Sequence, residues 1–334
     1  MKPGVYITVD VECSMGGAWQ NLALRPVPPA RAMMGEYGGQ PLGVPRIAAI
    51  LQAHGLTASF FIETFAEEQG NPGETKRVCE YLLKHGQDIQ LHIHPWHRFY
   101  GLRRGGIPAP LTDAFADLTA EQQAELLGLG SERIAAWTGT RPIAFRAGNM
   151  AASEASLEQL AGAGILIDSS YTFPYAGGQC RFGPRDPYNG SRWYGEVLEL
   201  ALSGFCLPKV PWDAPAKPLD LVGVSFEECR EAIRQVCGAG ADACLILHSF
   251  SLFKVRNVQY GGGRPNRIVT RRFRRLCEWL AAHAEEFPVY TFSQLAQAIA
   301  DNAYEARAVP PPCLCGARAV VRKAVQAFNN LYWT

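Results

Sequence analysis

"DIQLHIHPWHRFY", residues 88–100, places three histidines within six positions of a chain that has 7 in all. Its first part, "DIQLHIH" (88–94), reads as a strand closing on His92 and His94, with His97 just beyond. Residues two apart on a strand point to the same side, so His92 and His94 share a face. Neutral imidazole is the commonest protein ligand for zinc-like ions, and it titrates closest to neutral pH. An exposed loop with chance histidines, or one partly buried histidine with two bystanders, gives the same local pattern. Carboxylates elsewhere in the chain decide between these readings.

Seven further short apolar runs resemble the first: "VYITVD" (5–10), "TASFFIE" (57–63), "IAFRAG" (143–148), "ILIDSS" (165–170), "VLELAL" (197–202), "CLILHS" (244–249) and "VYTF" (289–292). Amphipathic segments lie between them. "VPRIAAILQAHG" has Pro45 in its first turn and Gly55 just past its end, and "ETKRVCEYLLKHG" stops at Gly86 in the same way. Ser or Thr cap candidates open "TAEQQAELLGLGSERIAAWTG", "SEASLEQLAGAG" and "SFEECREAIRQVCGAG". Strands alternating with helices of ten or more residues imply βα units and a mostly parallel sheet. The fold class is therefore α/β. Eight candidate strands suit a closed or nearly closed barrel, with an open doubly wound sheet as the alternative.

The rhythm breaks in three places. Residues 14–43 and 171–196 are long Gly/Pro-rich insertions, and loops of that length are often functional. A third break, "VPPPCLCGA", links the barrel (1–302) to a final helix in a C-terminal segment (303–334). There Val321, Val325, Phe328 and Tyr332 recur at helical spacing, the pattern of a stripe packed on the protein body, with a membrane-surface role as the second reading. The 334 residues are 48% hydrophobic with a formal net charge of +1, which argues against a nucleic-acid partner. No window approaches the roughly 20 apolar residues of a membrane span, and "MKPGVYITVDVE" does not read as a signal peptide, so a cytoplasmic protein without integral membrane association is expected. Most of the ten cysteines sit in apolar runs as small hydrophobes, and the Cys313-x-Cys315 pair lacks the second pair of a zinc site.

The ionisable residues gather at strand ends. Asp10 and Glu12 end the first run, His92 and His94 the third, Arg146 the fourth, Asp168 the fifth and His248 the seventh. In parallel α/β folds the C-terminal strand ends share one face, where active sites form. A single such residue is ordinarily structural, but five strands agreeing point to a site. One carboxylate with two imidazoles leaves open coordination positions on a zinc-like ion, as a catalytic site requires. Such a site suits metal-assisted hydrolysis of an amide or ester: a carboxylate base, a histidine from another strand (His248) as acid, and Arg146 orienting the base.

"TVDVE", "GQDIQLHIHPWH", "FRAGN" and "LILHS", in this order and spacing, resemble the NodB-homology polysaccharide deacetylases, carbohydrate esterase family four. The resemblance spans roughly residues 5–300. It implies a distorted (β/α) barrel, one divalent metal ion, most simply zinc, and removal of acyl groups from sugars. Carried over, Asp10 takes the base position, Glu12 the metal carboxylate, His92 the first metal histidine, Arg146 the orienting arginine and His248 the acid. Asp168 lies near a fourth, looser motif and joins the catalytic candidates. The chain departs from the pattern at Trp96, where the second metal histidine is expected. His94, favoured by strand alternation, and His97, favoured by its place in the loop, both remain candidates.

The insertions carry Trp19, Tyr37, Tyr171, Tyr175, Tyr188, Trp193 and Tyr194, which either stack on sugar rings or pack the loops. "KVRNVQYGGGRPNRIVTRRFRR" (254–275) contains no acid, and Arg264 and Arg267 in it suit a phosphate. A cytoplasmic location would remove mature cell-wall polymers, so the expected partner is an acylated sugar: one on a nucleotide or lipid diphosphate carrier, or a small amino sugar of secondary metabolism. Two rivals stand beside this reading. One is an amidase for a non-sugar amide; the other is a metal-free, glycan-binding relative in which Trp96 marks a lost ion.

Overall fold

The computed structural model describes residues 1–69, 72–183, 186–208 and 215–331; the side chains at 69, 317, 318, 328, 330 and 331 are not among the described features. Val5–Val11 (β1) is buried at every position, as befits a strand covered on both faces of a parallel sheet. β1 pairs in parallel with Ser59–Glu63 (β2), which pairs with Asp88–Ile93 (β3), then Ala144–Ala147 (β4) and Ile167–Asp168 (β5). Asn189–Tyr194 (β6) runs antiparallel to Val197–Leu200 (β7), which is parallel to β5. Ala243–His248 (β8) lies parallel to β1 on its other side, and Val289–Tyr290 (β9) pairs with the start of β1. All eight strands expected from the sequence are present in this one sheet.

Two strands of this sheet were not expected. β6 falls inside the second insertion, and Ala308–Val309 (β10) pairs with it antiparallel from within the C-terminal linker. The sheet curls into the distorted (β/α) barrel, but among the described residues its last seam carries no continuous ladder. Between the β7 and β8 sides, isolated bridges join Leu202 to Cys244 and Asp220 to Ile246. Hydrogen bonds from Ser203 N to Cys244 O (2.9 Å) and Ile246 N to Leu219 O (3.0 Å) hold that seam.

The described helices are Val44–Gln52 (α1), Glu74–Lys84 (α2), Pro95–Arg104 (α3), Ala120–Thr138 (α4), Glu154–Gly162 (α5), Phe226–Gly238 (α6), Arg267–Ala282 (α7), Phe292–Ala300 (α8) and Ala317–Leu331 (α9), beside shorter turns. The cap candidates act as the sequence suggests: Thr119 and Ser225 accept from the backbone N–H three residues on, and Gln122 and Glu228 return the bond. Gly55 and Gly86 end α1 and α2 with φ of 65° and 64°, a left-handed conformation that favours glycine. Among the described residues no helix is long and apolar enough to cross a membrane.

The final helix departs from expectation. Val321 and Val325 are 65% and 38% exposed, while Arg322 between them is buried. Tyr332 lies outside the described residues, as does the Phe328 side chain. α9 is held to the body by its polar residues instead: Arg322 pairs with the buried Glu228 (3.0 Å), and Gln326 Nε2 donates to Val222 O (3.1 Å). The spacing correctly groups the valines on one face, but that face looks outward.

Candidate active site

Strand register assembles the site. Asp10 lies directly beside His248 in the β1–β8 ladder, and His92 sits between Glu63 and Arg146 in the β2–β3–β4 ladder. Thr8 and Asp10 share the interior side of β1. Arg146, fully buried, reaches both: Nη1 donates to Asp10 Oδ1 at 2.6 Å and to Thr8 Oγ1 at 2.8 Å. Its Nε donates to Ser169 O (2.9 Å), its Nη2 to Ser169 Oγ (3.0 Å), and the guanidinium lies over the Phe61 ring at 4.4 Å. Burial disfavours this cation, but the Asp10 carboxylate outweighs burial and keeps the guanidinium firmly charged. Every bond fixes the planar group, and the planar group fixes Asp10.

Glu12 follows one strand step later. Its Oε2 lies 3.0 Å from His92 Nε2 and 2.7 Å from His94 Nε2, so two imidazole nitrogens converge on one carboxylate oxygen. One ligand atom from each of the three residues falls within 4.8 Å of the others. The rings are held from behind. His92 Nδ1 bonds Arg146 O at 2.8 Å, and His94 Nδ1 bonds Asp113 Oδ2 at 2.7 Å. An Nδ1–H given to such an acceptor leaves Nε2 as the lone-pair nitrogen, the arrangement seen behind metal-binding histidines. The donor set therefore fits a zinc-like divalent ion, with one carboxylate and two imidazoles leaving positions for substrate and water.

Charge follows the same geometry. Burial opposes ionisation of Glu12, yet the His94 charge and the bonds from both imidazoles outweigh it and hold the carboxyl well below the usual range. Burial likewise opposes an imidazolium at His94, and Asp113 and Glu12 overcome it, raising that pKa well above the ordinary value. His94 thus lies between two carboxylates that both favour its charged form. Gly148 makes this packing tight, since a Cβ there would lie 2.5 Å from the His94 ring.

The structure separates the two candidate second histidines. Pro95 at the first position of α3 turns the chain, and His97 Nε2 bonds Cys13 O at 2.9 Å instead of joining Glu12. His97 borders the cavity, but outside the three-residue cluster. Trp96 stacks on Trp19 (4.9 Å between centroids, 16° between planes), so its ring serves the cavity rim.

Two connected hollows open over the cluster, with Glu12, His94, Asn149 and Gln179 on both walls. The smaller, about 190 Å³, also brings Asp10, His248, Asp220 and Tyr175 together. The larger, about 640 Å³, extends past Trp96, Arg181 and Tyr260. The His248 ring stacks on Phe250 at 5.2 Å, and its backbone N–H donates to Ser251 Oγ at 2.8 Å. Burial raises the Asp220 pKa, and the nearby His248 works against that rise.

Some expected contributors stand elsewhere. Asp168 is fully buried on the far side of Arg146, bonded to Ser170 Oγ (2.7 Å) and facing Glu199 across the β5–β7 ladder; it borders neither hollow. This position gives the catalytic role expected for it no geometric support. Tyr171 and Tyr188 are buried and stacked on each other at 4.4 Å, and Arg264 and Arg267 line neither hollow. Conversely, Asp113, Asn149, Gln179 and Asp220 were not read from the sequence. Asn149 stands in the quoted "FRAGN", and it adopts a left-handed φ of 56°, which Asn tolerates better than most residues.

The Asp168–Glu199 pair has a measurable consequence. Burial raises both pKa values, and the mutual repulsion of the two carboxylates pushes Glu199 well above its usual range. Over the interval between the ordinary and raised values, the native state binds more protons than the unfolded chain. Stability from this pair is therefore full below the ordinary carboxyl range and falls as pH rises through the raised values. Glu199→Gln removes the second acid while its amide can still donate to Asp168. Urea midpoints at about pH 5 and about pH 8 should differ less for the variant than for the parent. An equal drop in both proteins would exclude the pair as its source.

This curled sheet with its crossing helices is the polysaccharide deacetylase fold. The chain superposes on a solved "putative polysaccharide deacetylase" from Mycobacterium smegmatis with a TM-score of 0.55 and 17% identity, covering 93% of this chain and 94% of that one. Weaker likenesses include the peptidoglycan N-acetylglucosamine deacetylase Bc1960 (TM-score 0.46, 13% identity, 88% and 87% covered) and the peptidoglycan deacetylase PdaC from Bacillus subtilis (0.43, 11%, 90% and 93%). No family model and no curated protein matches the sequence.

Proposed function

We propose that the protein is a metal-dependent hydrolase that removes an N-acyl group, acetyl or formyl, from a sugar. One observation carries this reading: Glu12, His92 and His94 converge beside a buried Asp10–Arg146 pair, with His248 on the wall of the same hollow. Glu12, His92 and His94 would hold the ion. When bound, a zinc-like ion supplies Lewis acidity toward an acyl oxygen and a water.

The rest belongs to the chain. Arg146 fixes Asp10 through Oδ1, so Asp10 can take a proton at the cavity floor. His248, next to Asp10 in the sheet and lining the hollow, delivers a proton to the leaving nitrogen. Asp220 stands on the same wall as His248. Trp96 and Tyr175 offer ring faces to a pyranose at the margins of the two hollows. We take the substrate to be a nucleotide- or lipid-linked sugar of surface-glycan assembly, as the resemblance suggests, although Arg264 and Arg267 give that linkage no support. Acetate and formate release from a panel of N-acyl sugars, with and without prior chelation, tests the reaction. Release that survives complete metal removal would overturn the reading.

The ion assignment has its own test. His92→Ala and His94→Ala should each lower bound metal by at least about tenfold, and His97→Ala should leave it near parental. Because the ion must displace the His94 proton, affinity should also rise with pH through the raised His94 titration. Metal retained in His94→Ala but lost in His97→Ala would reverse the assignment.

A further inference from the structure

α9 is docked inside out. Amphipathic helices at protein surfaces ordinarily turn their apolar stripe to the body and their charges to water. Here the polar side meets the body through the Arg322–Glu228 pair, the Gln326 bond to Val222 O and a bond from Lys254 Nζ to Asn329 O. Val320, Val321 and Val325 are left 57%, 65% and 38% exposed. The burial of Arg322 against a fully buried carboxylate holds the helix in this orientation, since separating the pair would strand Glu228.

The outward valines do not stand alone. Val321 and Val325 form one side of a groove of about 670 Å³, with Phe226, Ile268, Arg271 and Arg275 among the residues opposite. Arg275 lies over the Phe226 ring at 4.3 Å and pairs with Glu227 at 2.8 Å. α7 carries five arginines and one acid, Glu278, and four of those arginines (Arg267, Arg271, Arg274 and Arg275) are exposed at helical spacing. The sequence of α9 contains no acid. A chain of net charge +1 thus gathers a strongly cationic face around an apolar stripe.

We propose that the α7–α9 face docks on an anionic lipid bilayer, with Val320, Val321 and Val325 entering the interface and the α7 arginines meeting lipid phosphates. Charge complementarity and the outward apolar stripe together select this occupant, because interfacial helices combine apolar insertion with Lys/Arg attraction to anionic headgroups. A neutral protein groove would not need the arginines, and a soluble polyanion would not need the valines. Docking would also hold the active site close to the membrane. Asp220, on the cavity wall, is followed by Leu221 and Val222, whose carbonyls accept from Arg272 Nη1 of α7 at 3.1 Å each. The inference is independent of the hydrolase reading, but a lipid-linked substrate would profit from it.

The test is sedimentation of the full chain with vesicles of phosphatidylcholine alone and of phosphatidylcholine mixed with phosphatidylglycerol. The protein should pellet with the anionic vesicles, release with added salt and stay in solution with the neutral ones. Val321→Asp/Val325→Asp and Arg271→Glu/Arg274→Glu should each weaken binding at least about tenfold. These positions are exposed, so melting temperature, metal content and turnover of a water-soluble N-acyl sugar should stay parental. No pelleting with anionic vesicles, equal pelleting with neutral ones, or parental binding by either double variant would overturn the proposal. So would a fall in the sedimentation coefficient of the lipid-free valine variant, which would mark the face as a dimer contact.

Discussion

Asp10→Asn should retain the metal and lose about 10²- to 10⁴-fold in rate, the range expected when a positioned proton acceptor is removed. The substitution is chosen for what it preserves. Asn keeps an oxygen for the Arg146 guanidinium, which otherwise sits fully buried against Asp10 at 2.6 Å. Asn removes the counter-charge but keeps that acceptor, whereas Ala would remove both, and breaking a buried pair costs about 3–5 kcal/mol. An alanine variant would therefore confuse folding with chemistry, and the asparagine variant separates them. Bound metal and initial rate, measured on the same preparation, check the result. Metal lost in parallel with rate would make Asp10 a ligand, although it stands outside the Glu12–His92–His94 group.

The second large effect concerns His248. An amine is a poor leaving group unless protonated, whereas an aryl ester departs as a stabilised phenolate. His248→Ala should lower N-deacylation by about 10²-fold or more while sparing much of any activity on a nitrophenyl ester. The structure adds a reason for the assignment: the ring lines the hollow next to Asp10 and Asp220, and the backbone N–H, not the ring, ties the strand end to Ser251. Equal losses on amide and ester at unchanged metal content would remove His248 from the acid role.

What could be read from the sequence followed from periodicity. Eight apolar runs gave eight strands, and the i, i+2 relation put His92 and His94 on the same side, where both Nε2 atoms lie against Glu12 Oε2. The failures were those periodicity invites. "NGSRWY" forms β6, although its Gly, Asn and Ser residues and its place in a Gly/Pro-rich stretch read as loop; cross-strand pairing with β7 overrode local preference. Asp113 comes from a segment with no repeat at all, so nothing in the chain pattern connected it with His94, 19 residues earlier. Asp168 was found at a strand end, where ionisable residues often serve a site. A two-residue strand facing Glu199 turned it inward instead. For α9, spacing identifies which residues share a face, but only the buried Arg322–Glu228 pair decides which face meets the body.

The two histidines of the cluster are not equivalent, because one leans on the neutral carbonyl of Arg146 and the other on the full negative charge of Asp113. A carboxylate behind an imidazole pushes electron density toward the far nitrogen more strongly than an amide dipole does. His92 is thus a fixture of the barrel, its donor strength set by a main-chain atom that no substitution can alter. His94 is adjustable. Its backing charge sits on a connecting loop outside the sheet, so exchanging that one residue would retune how firmly the pocket grips an ion without disturbing the scaffold. Rigidity and tunability are divided between two neighbouring side chains, and the dividing line is the boundary between strand and loop.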